Sequence, residues 1–558
     1  MMDVKGLYEQ ATLLFTKKQP LNSLHQEIAD QFYVERADFT LTRSIGTDFA
    51  AHLMSSYPMQ CRRELGNLFS TMLRPTARPW FHVRLRHEDK EPDNETRAWL
   101  QWMEETQRRA MYDDRSLFVK ATKQGDHDFA AFGQCALSVE LNRDGNGLLY
   151  RNWHLRDMAW MENEDGQIGF TTRKWKPTAQ QLSRLFRKPG ALHQDIARWV
   201  EKEPFREVQC MHFVVDADMY DDKSMGRPRW SIHYDVEHEH LMEAVPIWGR
   251  HYVIPRWQTV SQTQYAYSPA TVCALPDGRL LQAMTYTILE AGEKATSPPM
   301  IATQNAVRSD VALYAGGITW VDDEYDERLG DALRPLTQDF RGFNFGVEMN
   351  QQVQAMLMKA FYLDKLQMPV RTAAMTAYEV AQHVQEYIRN ALPLFEPMEM
   401  EYNAKVCDET FDLIARAGGF GSPESWPRKL KGSEVDFAFE SPLHDAIEQQ
   451  KGQKFQQASE LIAQAISMDA SAAFVPKVET ALRDALDGLG VPASWMNSEE
   501  HVKEQQAQAA AAQQQQQRLA AMEQGSNVAK NLGQSGMVPP PTPASGSSPS
   551  AAGAGVMG

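Results

Sequence analysis

The most suggestive cluster of metal-capable side chains in the 558-residue chain is the run "HYDVEHEH", which holds His233, Asp235, Glu237, His238, Glu239 and His240. Imidazole and carboxylate groups are the ligands that zinc and its neighbours take. The local spacing argues against such a site. His238-Glu239 is not followed by a second histidine at the spacing of the helical metalloprotease motif. In an alternating strand His238 and His240 share one face, and Glu237 and Glu239 the other. The expectation is a solvated strand edge with no bound metal.

Other chemistries find less support. "EAGEKAT" offers Gly292, Lys294 and Thr296, but it lacks the first glycine and the spacing of a phosphate-binding loop. A helix end is the expected reading. "GNG" at 145–147 reads as a turn, not a dinucleotide fingerprint. No GxSxG nucleophile elbow occurs. The cysteines Cys61, Cys135, Cys210, Cys273 and Cys407 lie far apart with no CxxC pair, so neither a zinc ribbon nor a disulfide framework is expected. That pattern suits synthesis in a reducing cytoplasm. No catalytic residue and no cofactor is expected. Arg328, Arg334 and Arg341 lie in the Gly/Pro-interrupted segment "ERLGDALRPLTQDFRGF". They read either as ordinary surface arginines or as a loop that meets a polyanion.

The elements around these residues define an α+β chain that is mainly helical. "LNSLHQEIADQFYVERADF", "DFAAHLMSSYPMQCRRELGNLFSTML" and "NETRAWLQWMEETQRRAMYD" carry helical apolar spacing. "WFHVRL", "CALSVEL" and "LLYRNWHL" alternate as strands. "MAWME" and "IGFTTRKW" flank the turn "NEDGQ" as a hairpin. "TAQQLSRLF" and "HQDIARWVEKE" are short helices. From about 208 to 260 short alternating runs predict a compact β-rich insert. A helix from about 276 to 293 leaves it, and another runs from about 349 to 366 with Val353, Met356, Leu357, Ala360 and Phe361 on one side. "MTAYEVAQHVQEY" begins a third, with a capping box from Thr376 to Glu379. "VDFAFESPLHDAIEQQ" passes from strand to helix, and further helices follow to about 524. After that the Gly, Ser, Pro and Ala content predicts disorder.

Length and charge bound the rest. A chain of 558 residues can hold several domains and a large core. With 57 basic and 73 acidic residues its net charge is −16, which argues against tight, sequence-independent DNA binding across the whole surface. No signal peptide is expected from "MMDVKGLYEQATLLFTKKQP", and no apolar run is long enough for a membrane span.

Six stretches, in order, resemble the portal, or head-to-tail connector, proteins of short-tailed bacteriophages. These are "RPTARPWFHVRL", "DMAWMENEDGQIGFTTRKWK", "AYSPATVCALPDGRLLQAM", "MTAYEV", "VDFAFESPLHDAIEQQ" and "LGVPASWMNSEEHVKEQQ". The resemblance runs from about 27 to 524, and the segment "FVVDADMYDDKSMGRPRWSIHYDVEHEH" has no counterpart in it. It implies a portal fold with wing, stem, β-rich clip and helical crown, assembling as a homo-oligomeric ring, usually of twelve subunits. The implied map puts an N-terminal wing part at 1–170, a first stem segment at 171–204 and the clip at 205–270. A second stem helix follows at 271–297. The rest of the wing spans 298–440, with a tunnel loop at about 328–346 and a long helix. The crown is at 441–524 and a disordered tail at 525–558. It implies double-stranded DNA passing through a central channel lined by Arg328, Arg334 and Arg341. The implied partners are terminase, capsid and scaffolding proteins and tail adaptors, at one vertex of the virion. The alternatives are a metal-dependent nucleic-acid enzyme, or another virion structural protein such as a tail adaptor.

Overall fold

The computed structural model describes residues 2–296 except 45, 47, 49, 77–78, 87–93, 222–225 and 262. It further describes 298, 300–302, 328, 333–335, 342–366, 397–439 except 429 and 433, and isolated helical positions between 458 and 512. The helix start at 375–387, most of the expected crown and the tail lie outside the described residues.

The chain opens with α1 (Val4–Phe32), capped by Asp3, whose carboxylate accepts from the Gly6 amide at 2.8 Å. This helix starts well before the expected Leu21 and continues through Pro20. Its buried positions explain the length. Leu7, Ala11, Leu14 and Phe15 pack into one hydrophobic cluster, and Ile28, Ala29 and Phe32 into another. Two cores therefore hold one helix straight across a proline that would break it in isolation. α2 (Tyr57–Leu73) begins later than the apolar spacing suggests, because Pro58 sets its first turn. Strand β1 (Phe81–Leu85), α3 (Asn94–Met111) and α4 (Phe118–Phe132) follow. α4 ends at Gly133, whose φ of +71° suits glycine. A Cβ there would also lie 2.1 Å from the Tyr267 carbonyl carbon, so no other residue fits.

β2 (Leu137–Leu141) and β3 (Leu148–Asn152) form a hairpin over the 145–147 turn. β4 (Met158–Glu162) and β5 (Ile168–Trp175) form the second expected hairpin. Then come α5 (Ala179–Leu185), α6 (Gln194–Lys202), β6 (Cys210–Asp216), α7 (Ala217–Tyr220), β7 (Arg229–Asp235), β8 (His240–Ile247) and β9 (Tyr252–Val253). β10 (Gln258–Thr259) pairs with β11 (Ala266–Tyr267). The central sheet is antiparallel throughout, in the order β4-β5-β6-β7-β8, and β3-β2-β9 makes a second sheet.

This topology differs from the expected map. β5 pairs with β6 from Phe170↔Val215 to Trp175↔Cys210, so one sheet crosses the boundary drawn at 204/205. The β-rich insert is not a separate unit within the subunit. The segment 171–204 holds helices of only 7 and 9 residues. The break between them includes Gly190 at φ +80°.

α8 (Pro269–Thr296) starts a full two turns before the expected Pro276 and runs through it. Its first turns are anchored by burial of Ala270, Thr271 and Ala274, and the Thr271 hydroxyl donates to the Ala131 carbonyl at 2.7 Å. β12 (Met300–Ala302) pairs with β13 (Leu333–Pro335). α9 (Gly342–Ala360) and the short α10 (Leu363–Leu366) follow. Val353, Leu357 and Phe361 are buried as expected, but Met356 points outward, 52% exposed. A π-helical turn (Glu399–Asn403) leads into α11 (Ala404–Arg416), and β14 (Val435–Phe439) closes on β1 in an antiparallel pair.

Candidate functional site

Of the residues that resemblance singled out, Arg334 lies in the β12–β13 pair, opposite Ile301. Apart from residue 328, the chain between these two strands lies outside the described residues. α8 precedes β12 and α9 follows β13 in chain order. Thr285 of α8 accepts from the Asn350 amide at 3.1 Å, and Gly346 of α9 lies against Ile288. As α8 runs forward from 285 to 288, its partners on α9 run backward from 350 to 346, so the two helices are antiparallel. A Cβ at Gly346 would make an ordinary contact with Ile288 at 3.5 Å, which shows how near the two helices lie.

Arg334 is the central residue of β13. Arg328 is exposed. Arg341 lies outside the described residues, immediately before α9. The helix begins at Gly342, so 342–346, expected as the end of the loop, are helical.

The α8–α9 pair changes character along its length. The buried residues of α8 end at Leu281. Beyond it Tyr286 and Leu289 are more than half exposed, and on α9 Phe345 is 65% exposed. Exposed large apolar groups on two paired helices mark a contact surface.

The histidine run divides into two environments. β7 ends at Asp235, and 236–239 form a turn with Glu239 at φ +49°. His238 and His240 therefore do not belong to one straight strand as expected. In the central sheet one face is apolar: Phe170, Met211, Phe213, Val215, Trp230, Ile232 and Tyr234 pack with Leu7, Ala11, Leu14 and Phe15 of α1. The opposite face carries Arg173, His212, Ser231, His233 and Asp235, as the cross-strand register requires. His233 stacks on His212 with ring centroids 4.1 Å apart. His212 shares hydrogen bonds with the Tyr252 hydroxyl at 2.6 Å and the Ser231 hydroxyl at 2.8 Å, and Arg173 Nε donates to the same Tyr252 oxygen at 2.8 Å. Burial, reinforced by the neighbouring cations and histidines, holds His212 neutral and pushes His233 and His251 down to about 3. This is a structural polar layer between the central sheet and β9.

His238 instead leaves that layer. Its Nδ1 meets the fully buried Asp235 carboxylate at 2.5 Å, and its ring stacks on His193 at 4.4 Å. His193 caps α6 by accepting from the Asp195 amide, and His240 Nε2 lies 3.1 Å from the Gly190 carbonyl. No spacing within the run itself could have found His193 and Asp195, some forty residues upstream. Only the fold of the α5–α6 hairpin onto the β7–β8 turn brings them there.

The remaining sequence candidates resolve simply. Gly292, Lys294 and Thr296 are in the last turns of α8, where Lys294 pairs with Glu290 at 2.7 Å. Cys61, Cys135, Cys210 and Cys407 are buried, and burial pushes the Cys61 thiol up to about 12, away from any nucleophilic thiolate. No helix among the described residues is long and apolar enough to cross a membrane.

Against known proteins, the family model described as bacteriophage head to tail connecting protein matches residues 4–496. The portal protein of Salmonella phage epsilon15 is 20% identical over 385 residues, a match that covers 66% of this chain and 66% of that relative's length. Among solved structures, a chain from the virion of a native gene transfer agent particle aligns with a TM-score of 0.35 and 9% identity, over 83% of this chain and 99% of its own. A chain from the neck of an empty gene transfer agent particle aligns at 0.32 with 12% identity and the same coverage. Those scores are too low for a fold to be inferred from them.

Proposed function

This chain belongs to the bacteriophage head to tail connecting protein family, and from that membership we propose that it is a portal subunit. Copies form a ring at one capsid vertex, and DNA enters and leaves through its centre. The observation that carries the proposal is the family match over 4–496, most of the 558-residue chain. The relative's name, portal protein, agrees with it.

The geometry supports a structural role. α8, 28 residues long, is anchored in the body only over its first half. It then projects with α9, exposing Tyr286, Leu289, Phe345 and Val347. A second copy of the chain would cover these groups. At about 25 cal/mol per Å² of apolar surface, repeated burial of such side chains around a ring adds up quickly. In this reading α8, Pro269–Thr296, is the second stem helix expected at 271–297. The loop based on β12 and β13, with Arg328, Arg334 and Arg341, is the tunnel loop. The wing comprises 1–170 and 298–440, and the crown 441–524. The clip reading for 205–270 extends to β4 and β5, since 158–247 share one sheet.

A net charge of −16 suits a channel through which DNA must slide, because broad phosphate neutralisation would hold it. A few loop arginines can grip transiently. Terminase, capsid and scaffolding proteins and tail adaptors are the proposed partners, with a usual count of twelve subunits. Gold-labelled antibody to the protein should mark a single vertex per particle; label spread over the whole capsid, or along a tail, would refute the assignment. Arg334→Ala and Arg341→Ala should leave ring stability unchanged and impair packaging. Normal packaging with weakened rings would make these arginines structural.

A further inference from the structure

We propose that His193, Asp195 and His238 form a binding site for one divalent transition-metal ion of the zinc class, which clamps the α5–α6 hairpin to the β7–β8 turn. The candidate ligand atoms of the three residues lie within 4.8 Å of one another. The Asp195 carboxylate oxygen stands between the two imidazoles, 3.4 Å from His193 Nδ1 and 3.9 Å from His238 Nε2. Ligands on a tetrahedral zinc at bond lengths of about 2.0–2.1 Å are separated by roughly 3.4 Å. All three pairs of ligand atoms lie within 4.8 Å, and loading an ion requires His193 Nδ1 to give up the Asp195 amide from which it accepts at 3.3 Å, or its ring to turn so that Nε2 is the ligand.

A second observation points the same way. Asp235, with no exposed side-chain surface, accepts from His238 Nδ1 at 2.5 Å, and its other oxygen accepts from the Glu237 amide. With Nδ1 turned to Asp235, Nε2 is the nitrogen that faces the Asp195 carboxylate, at 3.9 Å. The other Asp195 oxygen accepts from Arg198 at 2.9 Å, so one carboxylate oxygen is left for an ion. A carboxylate that orients a histidine through its far nitrogen is also the recurrent outer partner of metal-bound imidazole. The nitrogen-rich donor set favours zinc, nickel, cobalt or copper over calcium or magnesium, which take oxygen. Three protein ligands leave a fourth position for water or for a group from outside the subunit.

The elements joined are also held by the Lys188–Glu243 ion pair at 2.6 Å and by apolar packing. The α5–α6 hairpin has its own small apolar cluster of Ala179, Leu182, Phe186, Ala191 and Ile196, which meets the sheet at Val208, Cys210 and Met242. The N-terminus of α6 disfavours a cation, but Asp195 in its first turn supplies the opposing charge. His240 lies beside the group, 6.0 Å from the His193 ring, with its Nε2 engaged to the Gly190 carbonyl, and is not a ligand. The expectation of a metal-free strand edge considered only the run 233–240, whereas His238 sits in a turn and two of the proposed ligands come from another element.

The test is a titration of untagged, chelator-treated full-length protein with zinc alone, followed by calorimetry and elemental analysis. Wild type should bind one ion per chain. His193→Gln and His238→Gln should each weaken binding by about tenfold or more, and Asp235→Asn, a positioning change, by about 10–100-fold. His240→Gln should bind as wild type. Zinc should also shield His193 and His238 of wild type from an acylating reagent, mapped by mass spectrometry, which decides the matter even if a variant folds poorly. Absence of a stoichiometric ion in wild type, retention of the ion in both histidine variants, or shielding confined to other histidines would overturn the proposal.

Discussion

The body of the subunit and its central sheet bury comparable interiors with different materials. The body, around α2, α4, α11 and the second half of α1, is aromatic and aliphatic: Phe32, Phe69, Phe129, Phe132, Tyr402 and Trp257 meet in one cluster. Among its buried charges are ion pairs. Arg74 bonds to Asp126 and, at 2.7 Å, to Asn403, and stacks on Tyr402. The sheet is apolar on the face toward α1 and polar on the other. There Arg173, His212, Ser231 and Tyr252 join strand to strand through shared hydrogen bonds, and His233 stacks on His212. A closed ion pair is insensitive to mild acid, whereas a layer of buried neutral histidines is not. The two regions should therefore fail under different challenges, although α1 runs through both.

Breaking the body's pair should have the largest effect. Arg74→Met leaves Asp126 buried without its cation, at a cost of about 3–5 kcal/mol. Urea unfolding of the variant would show it, and a loss below about 1 kcal/mol would mean that the pair contributes little. In the sheet, Tyr252→Phe removes the oxygen that Arg173 and His212 share and should cost about 1–3 kcal/mol.

Acid sharpens the contrast. His212, His233 and His251 are held far below the ordinary histidine value by burial. A depressed folded value means that the unfolded chain takes up protons first. The stability these residues confer is complete above about pH 6.5 and falls as the pH drops through 6.5 toward 3. His25 and His127 add to the same trend in the body, where burial lowers both. A local probe is therefore needed. Amide exchange in β6 and β7 should accelerate between pH 6.5 and 5 ahead of that in α2 and α4, and equal acceleration would erase the distinction. The smallest effect belongs to the hairpin on the sheet. Thr178 and Gln181 form a reciprocal capping box at the start of α5. Thr178→Ala should cost about 1 kcal/mol, confined to exchange in that hairpin.

Most elements near these regions were legible in the sequence because each carries its own signal. Alternation marked β2 through β8, and the Asp165-Gly166 turn marked the β4–β5 hairpin. What escaped depends on partners distant in sequence. α1 extends through Pro20, and α8 through Pro276, because tertiary burial outweighs the local cost of proline. α4 was not anticipated at all: "FVKATKQGDHDFAAF" buries Asp126 and Asp128, which bond to Arg74 and Arg36, and such polar core positions blur a helical stripe. The sheet crossing the expected 204/205 boundary needed the β5–β6 pairing, which no short-range pattern encodes. The loop arginines were singled out through resemblance and position alone, and His193, Asp195 and His238 come together only through the fold.

The central claim is that this chain works as a closed ring around a channel. The most direct measurement is electron microscopy of the purified, untagged protein across a range of concentrations. A portal subunit should give uniform rings with a central hole wide enough for a DNA duplex, about 20 Å, with the α8–α9 pair at the contact between neighbouring copies. Monomers at every concentration, or compact oligomers without an opening, would contradict it.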